Sequence, residues 1–148
     1  MLVKDVMTHG ARTVTEDTLI KEVASLMCLY RFSGLPVVED ERLIGFIAEK
    51  DVLARLFPSV EDAMESMATI DLKEKIGEYK SLMNLKVADL MTRAAKTVSP
   101  DMPVLKAAII MANNRFRRIP VAEGDRLVGM LSLGDIHKAI FHQSLTGD

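Results

Sequence analysis

The sequence predicts an α/β fold made of two copies of one small unit, each running strand, helix, strand, strand, helix, with a helical segment inserted between them. Three observations carry this expectation. Shifted against itself by 84 positions, the 148-residue chain agrees with itself at 19 of 51 places between 3–53 and 87–137, with no gap. Within each copy the apolar spacing changes from three-and-four to two, the mark of a helix followed by strands. A separate amphipathic run lies between the copies. The expected divisions are 1–57 for the first copy, 58–84 for the connector and 85–148 for the second copy.

The first copy opens on Asp5-Val6-Met7-Thr8, matched by Asp89-Leu90-Met91-Thr92. Thr13-Val14 and its counterpart Thr97-Val98 read as short apolar strands. Leu19, Ile20, Val23, Ala24 and Met27 then mark one face of a helix, with Asp17 placed to cap it. Cys28 falls on or beside that face and is expected in the core. In the second copy the same reading gives Val104, Leu105, Ala108 and Met111, with Asp101 as the cap. The runs Leu35–Val38 and Leu43–Ile47, joined by Glu39-Asp40-Glu41-Arg42, form a hairpin that repeats around Glu123-Gly124-Asp125-Arg126. Closing helices start near Glu49 and Leu133. In the connector, Ser59 with Asp62 and Asp71 with Glu74 look like capping pairs for two helices. The second of these carries an apolar stripe of Leu72, Ile76, Tyr79 and Met83 that needs cover, from the repeats or from another subunit.

Composition narrows the function. Apolar residues make up 49% and charged residues 27%, enough to build a core and to exclude a disordered or fibrous chain. The net charge of −2 does not point to a protein built to hold nucleic acid or an anionic membrane. No apolar run is long enough to span a bilayer and the start lacks a signal-peptide pattern, so the expected location is cytoplasmic. The single Cys28 excludes an intrachain disulfide and a cysteine-based zinc site. His9, His137 and His142 share no metal-ligand spacing, and no metal is expected. No Ser-His-Asp or Cys-His arrangement and no phosphate-cradling glycine loop can be argued, so the chain is not expected to be an enzyme.

Each copy resembles a CBS domain, and the whole chain resembles a tandem CBS pair, or Bateman module. The match rests on the opening Val-x-Asp-(Val/Leu)-Met-Thr, the central apolar-Pro-Val and the closing Gly-x-x-x-x-x-Asp. The resemblance implies a pseudo-two-fold pair of small α/β units whose sheets face each other. It also implies clefts between the two units that bind adenosine-containing ligands (AMP, ADP, ATP or S-adenosylmethionine), assembly as a homodimer, and regulation of an unidentified protein partner by conformational change. No resident cofactor is required.

The candidate site residues follow from that resemblance and from their chemistry. Gly129-Met130-Leu131-Ser132-Leu133-Gly134-Asp135 resembles the family's nucleotide motif. A carboxylate such as Asp135 at a helix start can accept hydrogen bonds from both ribose hydroxyls, and the Ser132 hydroxyl stands beside free helix N–H groups. The same two residues also suit a plain helix cap, and the two roles can coexist. The first copy keeps Asp51 but has Ala48 in place of the hydroxyl and adds the charge of Glu49, which opposes a phosphate. Arg117 and Arg118, in the run Arg115-Phe116-Arg117-Arg118, can grip phosphate by bidentate hydrogen bonds, or else form a solvated basic turn. The first copy has Ser33 and Gly34 there. Arg31 and Arg115 recur in both copies and suit a structural role. Thr97, Val98, Ile119, Pro120 and Val121 are candidate pocket walls by resemblance, although core packing also accounts for the apolar ones. Two rival readings are a ligand-free scaffold for protein–protein interaction, hinted at by Ala48, and nucleic-acid binding through Arg115–Arg118. No helix-turn-helix, RNA-binding or zinc-finger pattern favours the latter.

Overall fold

A computed structural model of the chain describes residues 1–56 and 71–147. The elements are α1 (Val3–Val6), α2 (Ile20–Tyr30), β1 (Gly34–Glu39), β2 (Arg42–Ala48), α3 (Glu49–Leu53), α4 (Leu72–Leu82), α5 (Val87–Leu90), β3 (Thr92–Arg93), α6 (Val104–Asn114), β4 (Arg118–Glu123), β5 (Arg126–Ser132) and α7 (Leu133–Thr146). The fold is mixed α/β, in two compact units. One comprises 1–12, 40–44 and 94–148, the other 13–39 and 45–93.

These units divide the chain differently from the sequence repeat, because each is completed by the opening segment of the other copy. In the second-copy unit, Val3 N donates to Met102 O (2.9 Å) and Lys4 N to Pro100 O (2.9 Å), and Thr8 and Met130 exchange backbone bonds of 2.8 and 2.9 Å. In the first-copy unit, Val87 N donates to Thr18 O (2.8 Å) and Ala88 N to Glu16 O (3.0 Å). There Thr92 and Arg93 pair antiparallel with Phe46 and Gly45. The motif glycines are explained by this crossing. A Cβ on Gly129 would lie 2.7 Å from Thr8 O, and one on Gly45 would run into Met91 and the Thr92 carbonyl. Glycine is required there by close backbone approach.

Each unit packs helices on one face of its strands. In the second-copy unit Val3, Val98, Val104, Ala107, Met111, Ile119, Val121, Leu131 and Ile136 form a single buried cluster. Full burial of a side chain of Met111's size contributes about 1.5–3 kcal/mol. The first-copy unit buries Ile20, Val23, Met27, Leu35, Val37 and Ile47 in the same manner. The hairpins form as expected. Asp40 and Glu41 both take left-handed φ values (50° and 70°), suited to a tight two-residue connection, and Gly124 does the same at 64°. The recurring arginines are structural: Arg31 and Arg115 close α2 and α6 in the left-handed conformation, at φ 56° and 57°.

Several local expectations are corrected. Thr13-Val14 and Thr97-Val98 do not form strands; each makes one parallel bridge, Val14 to Val37 and Val98 to Val121. Helix α2 begins at Ile20 with Leu19 as its N-cap, so Asp17 is not a cap. It faces Lys86 Nζ instead, at 3.4 Å. Helix α6 likewise begins after Pro103, whose fixed φ suits a helix start. Asp101 pairs with Lys4 Nζ at 3.1 Å. The buried face of α6 is Val104, Ala107 and Met111, whereas Leu105 is exposed. Cys28 is exposed rather than core, because the buried position is its neighbour Met27. In the connector, α4 is present and Asp71 caps it, its Oδ1 accepting from Lys73 N at 3.0 Å. The expected stripe is only half-covered: Leu72 and Ile76 are exposed, Tyr79 and Met83 half-buried. The other expected connector helix, with Ser59 and Asp62, lies outside the described residues. No helix among the described residues is long and apolar enough to cross a membrane.

Candidate functional site

The second-copy candidates converge at one end of the β4–β5 hairpin. Arg118 pairs with Ser132 across the antiparallel ladder, followed by Ile119 with Leu131 and Pro120 with Met130. Beyond the ladder, Leu133 N donates to Arg117 O at 2.9 Å. The backbone therefore fixes both arginines beside the point where β5 becomes α7. On the other side of β4, Val98 N donates to Pro120 O (3.1 Å) and Ala122 N to Val98 O (2.9 Å), which brings Thr97 alongside. Since side chains alternate between faces along a strand, Arg118, Pro120, Met130 and Ser132 share the face opposite the core. Val98, Ile119 and Val121 point into the core cluster. Thr97 and Arg117 are exposed, Arg118 half-buried and Pro120 buried.

At the helix start, Ser132 Oγ accepts from Asp135 N (3.0 Å), and Ser132 N donates to Asp135 Oδ2 (3.2 Å). This reciprocal capping box satisfies two backbone donors and holds the carboxylate in one rotamer. It uses only one of the two carboxylate oxygens. Among the described residues nothing hydrogen-bonds Asp135 Oδ1. The exposed first turn of α7, one such oxygen and two guanidinium-bearing residues occupy the same end of the unit. Chemically, the arrangement suits a ligand with hydroxyls for the carboxylate and an anionic group for the arginines.

The first-copy motif is built alike and furnished differently. Ala48 N donates to Asp51 Oδ2 at 2.8 Å, but Ala48 offers no acceptor to the helix. Asp51 Oδ1 accepts from the Thr92 hydroxyl at 3.3 Å. Glu49 N donates to Ser33 O (2.9 Å), the equivalent of the Leu133–Arg117 bond. Where the second copy has Arg118, the first has Gly34, and a Cβ on Gly34 would collide with the Phe46 ring. Asp51 belongs to the other unit. Sequence reasoning missed Thr92 and Phe46. Thr92 was visible only as part of the repeated opening motif, and its contact with Asp51 requires the opening segment to lie against the other copy's strands. Nearby, Tyr79 has its phenol pKa raised above the ordinary 10.0, first by partial burial and then by the neighbouring Cys28 and Glu49. Among the described residues no group of three His, Cys, Asp or Glu is placed to hold a metal ion.

Comparison with known proteins agrees with this geometry. The family model described as "CBS domain" matches residues 3–58 and again 87–142. An uncharacterized protein of Methanocaldococcus jannaschii, MJ1426, is 31% identical over 154 residues, covering 95% of this chain and 91% of that protein. The mitochondrial CBS domain-containing protein CBSX3 of Arabidopsis thaliana is 33% identical over 134 residues, covering 87% of this chain and 55% of its own length. Among solved structures, that of CBSX2 in complex with AMP superposes with a TM-score of 0.74 at 25% identity, covering 97% of this chain and 98% of that one. Two matched copies, and relatives that share them over most of the chain, establish that this chain belongs to the CBS domain family and carries the domain twice.

Proposed function

We propose that this chain is a regulatory module that binds an adenine nucleotide on its second-copy unit and signals to a partner protein by conformational change. The observation that carries the reading is the grouping of Asp135, with one carboxylate oxygen available, and Arg117 and Arg118 beside the start of α7. The AMP complex of the related CBSX2 supports the ligand class. In this reading Asp135 accepts from the ribose hydroxyls, while Arg117 and Arg118 receive the phosphate. A ligand that contacts one arrangement of the chain more favourably than another shifts the population toward it, and a partner reads the shift. The role is binding rather than catalysis.

The test is a thermal-shift panel of AMP, ADP, ATP and S-adenosylmethionine. At about 100 times Kd a ligand should add about 2.7 kcal/mol of stability, a shift of several degrees for a protein of this size. No shift with any of them at millimolar concentration overturns the reading. One observation favours a second reading, a ligand-free scaffold: Ser132 and Asp135 already satisfy each other's backbone as a cap. The same panel decides between the two.

We also propose assembly as a homodimer. Leu133, Ile140, Phe141 and Leu145 leave an exposed apolar stretch on α7, and such surface in a soluble domain marks an interface. Light scattering showing only monomer at tens of micromolar, about the range where a standard interface holds, overturns this.

A further inference from the structure

We infer that the chain takes one adenine nucleotide, not two, and that Thr92 and Phe46 are the residues that keep the first-copy motif shut. This deepens the function proposed above and rests on it. Both oxygens of Asp51 are in use, Oδ2 by Ala48 N at 2.8 Å and Oδ1 by the Thr92 hydroxyl at 3.3 Å. A ribose would have to compete with a hydroxyl that the fold itself supplies. Thr92 is fixed in place by the pairing of β3 with β2, where it stands opposite Phe46. Its counterpart Thr8 bonds Met130 through the backbone, yet among the described residues its hydroxyl does not reach Asp135. The Phe46 ring meanwhile lies over Gly34, occupying the start of the strand where the second copy carries the Arg118 side chain; the residue equivalent to Phe46 is Met130. Glu49 adds a carboxylate where a phosphate would need positive charge, and Ala48 removes the hydroxyl. Four differences act in the same direction: among the described residues Thr92 takes an oxygen of Asp51 whose equivalent on Asp135 accepts no bond, Phe46 stands where the second copy carries a guanidinium, and Glu49 and Ala48 alter the charge and the hydroxyl.

Titration calorimetry with AMP on the full chain tests this. The wild type should bind about one AMP per chain, and Asp51→Ala should leave both stoichiometry and affinity unchanged within about twofold, as expected when no interaction is lost. The triple variant Phe46→Met, Ala48→Ser, Thr92→Val releases Asp51 Oδ1 and uncovers Gly34, and should gain a second, weaker site. If the triple variant does not fold, Thr92→Val alone, which frees the carboxylate oxygen without touching the ring, should show the second site at higher AMP concentration. Two AMP bound per wild-type chain, or loss of binding in Asp51→Ala, overturns the inference while leaving the proposed function intact. A folded variant set that still binds a single AMP overturns the role of Thr92 and Phe46. A wild type silent toward AMP and toward the whole ligand panel overturns the proposed function itself.

Discussion

At the end of β5, a serine hydroxyl and an aspartate carboxylate bond each other's backbone, and among the described residues nothing bonds the second carboxylate oxygen. At the end of β2, the same aspartate bonds its backbone partner in the same way, but a threonine from the other copy has taken the second oxygen. The backbone scaffold of the two motifs is equivalent down to the Leu133–Arg117 and Glu49–Ser33 bonds. What separates them is a handful of side chains. Duplication therefore preserved the parts that fold the unit and released the parts proposed to meet a ligand.

The equivalence of the scaffolds should be hardest to break in the cores. Met111→Ala and Met27→Ala each remove a buried side chain at the same place in α6 and α2. Each should cost about 2–5 kcal/mol. Urea titration giving a large loss for one and a negligible loss for the other would show that the two cores are not equivalent. The difference between the motifs should appear next. Asp135→Ala should weaken AMP by on the order of 30- to 150-fold, about 2–3 kcal/mol, while Asp51→Ala leaves it unchanged. Calorimetry showing the opposite order would assign the ligand to the first copy. Replacing Arg117 and Arg118 together with Gln should weaken AMP by on the order of tenfold or more and leave adenosine little changed, because adenosine offers no phosphate to a guanidinium. Equal weakening of both ligands would point to a disturbed unit rather than a lost phosphate grip.

Smaller effects sharpen the comparison. Ser132→Ala removes a cap acceptor and should cost about 1 kcal/mol, whereas Ala48→Ser supplies one and should gain about 0.5–1 kcal/mol. Thermal melts of the two variants moving in the same direction would contradict the capping roles. Tyr79 gives the smallest signal. Its folded pKa lies above the unfolded 10.0, so the folded state holds that proton more tightly. Stability should be unaffected by this group below pH 10, then fall as pH rises from 10.0 through the folded value. Tyr79→Phe should remove that part of the alkaline loss, as read by denaturation at pH 9 and at pH 11.

The repeat, the hairpins, the helices after them and the α4 cap at Asp71 were all legible, because each is written in local spacing and turn chemistry. The helix caps were each misplaced by two residues, Leu19 and Pro103 standing where Asp17 and Asp101 were expected, since those aspartates look like caps but serve ion pairs with Lys86 and Lys4. Leu105 was assigned to the buried face because apolar character was taken for burial; α6 buries Ala107 instead. The second-copy site residues were legible as a motif. The closure of the first copy was not, because Thr92 reaches Asp51 across 41 positions through a crossing that no local pattern encodes.

That crossing also bears on how the chain comes off the ribosome. Lys4 finds its partner Asp101 97 positions later, and Val3 belongs to a core whose other members begin at Val98. The segment that carries Val3 and Lys4 must therefore wait, unsatisfied, until the stretch around Val98 and Asp101 has been made. At roughly 5–20 residues per second the delay is on the order of 5–20 seconds. The first-copy unit, complete once residue 93 has emerged, is free to form during that interval. The order of assembly is thus imposed by the threading of the chain: the first-copy unit can be set first, and the second-copy unit only after the stretch that follows residue 93 has been made.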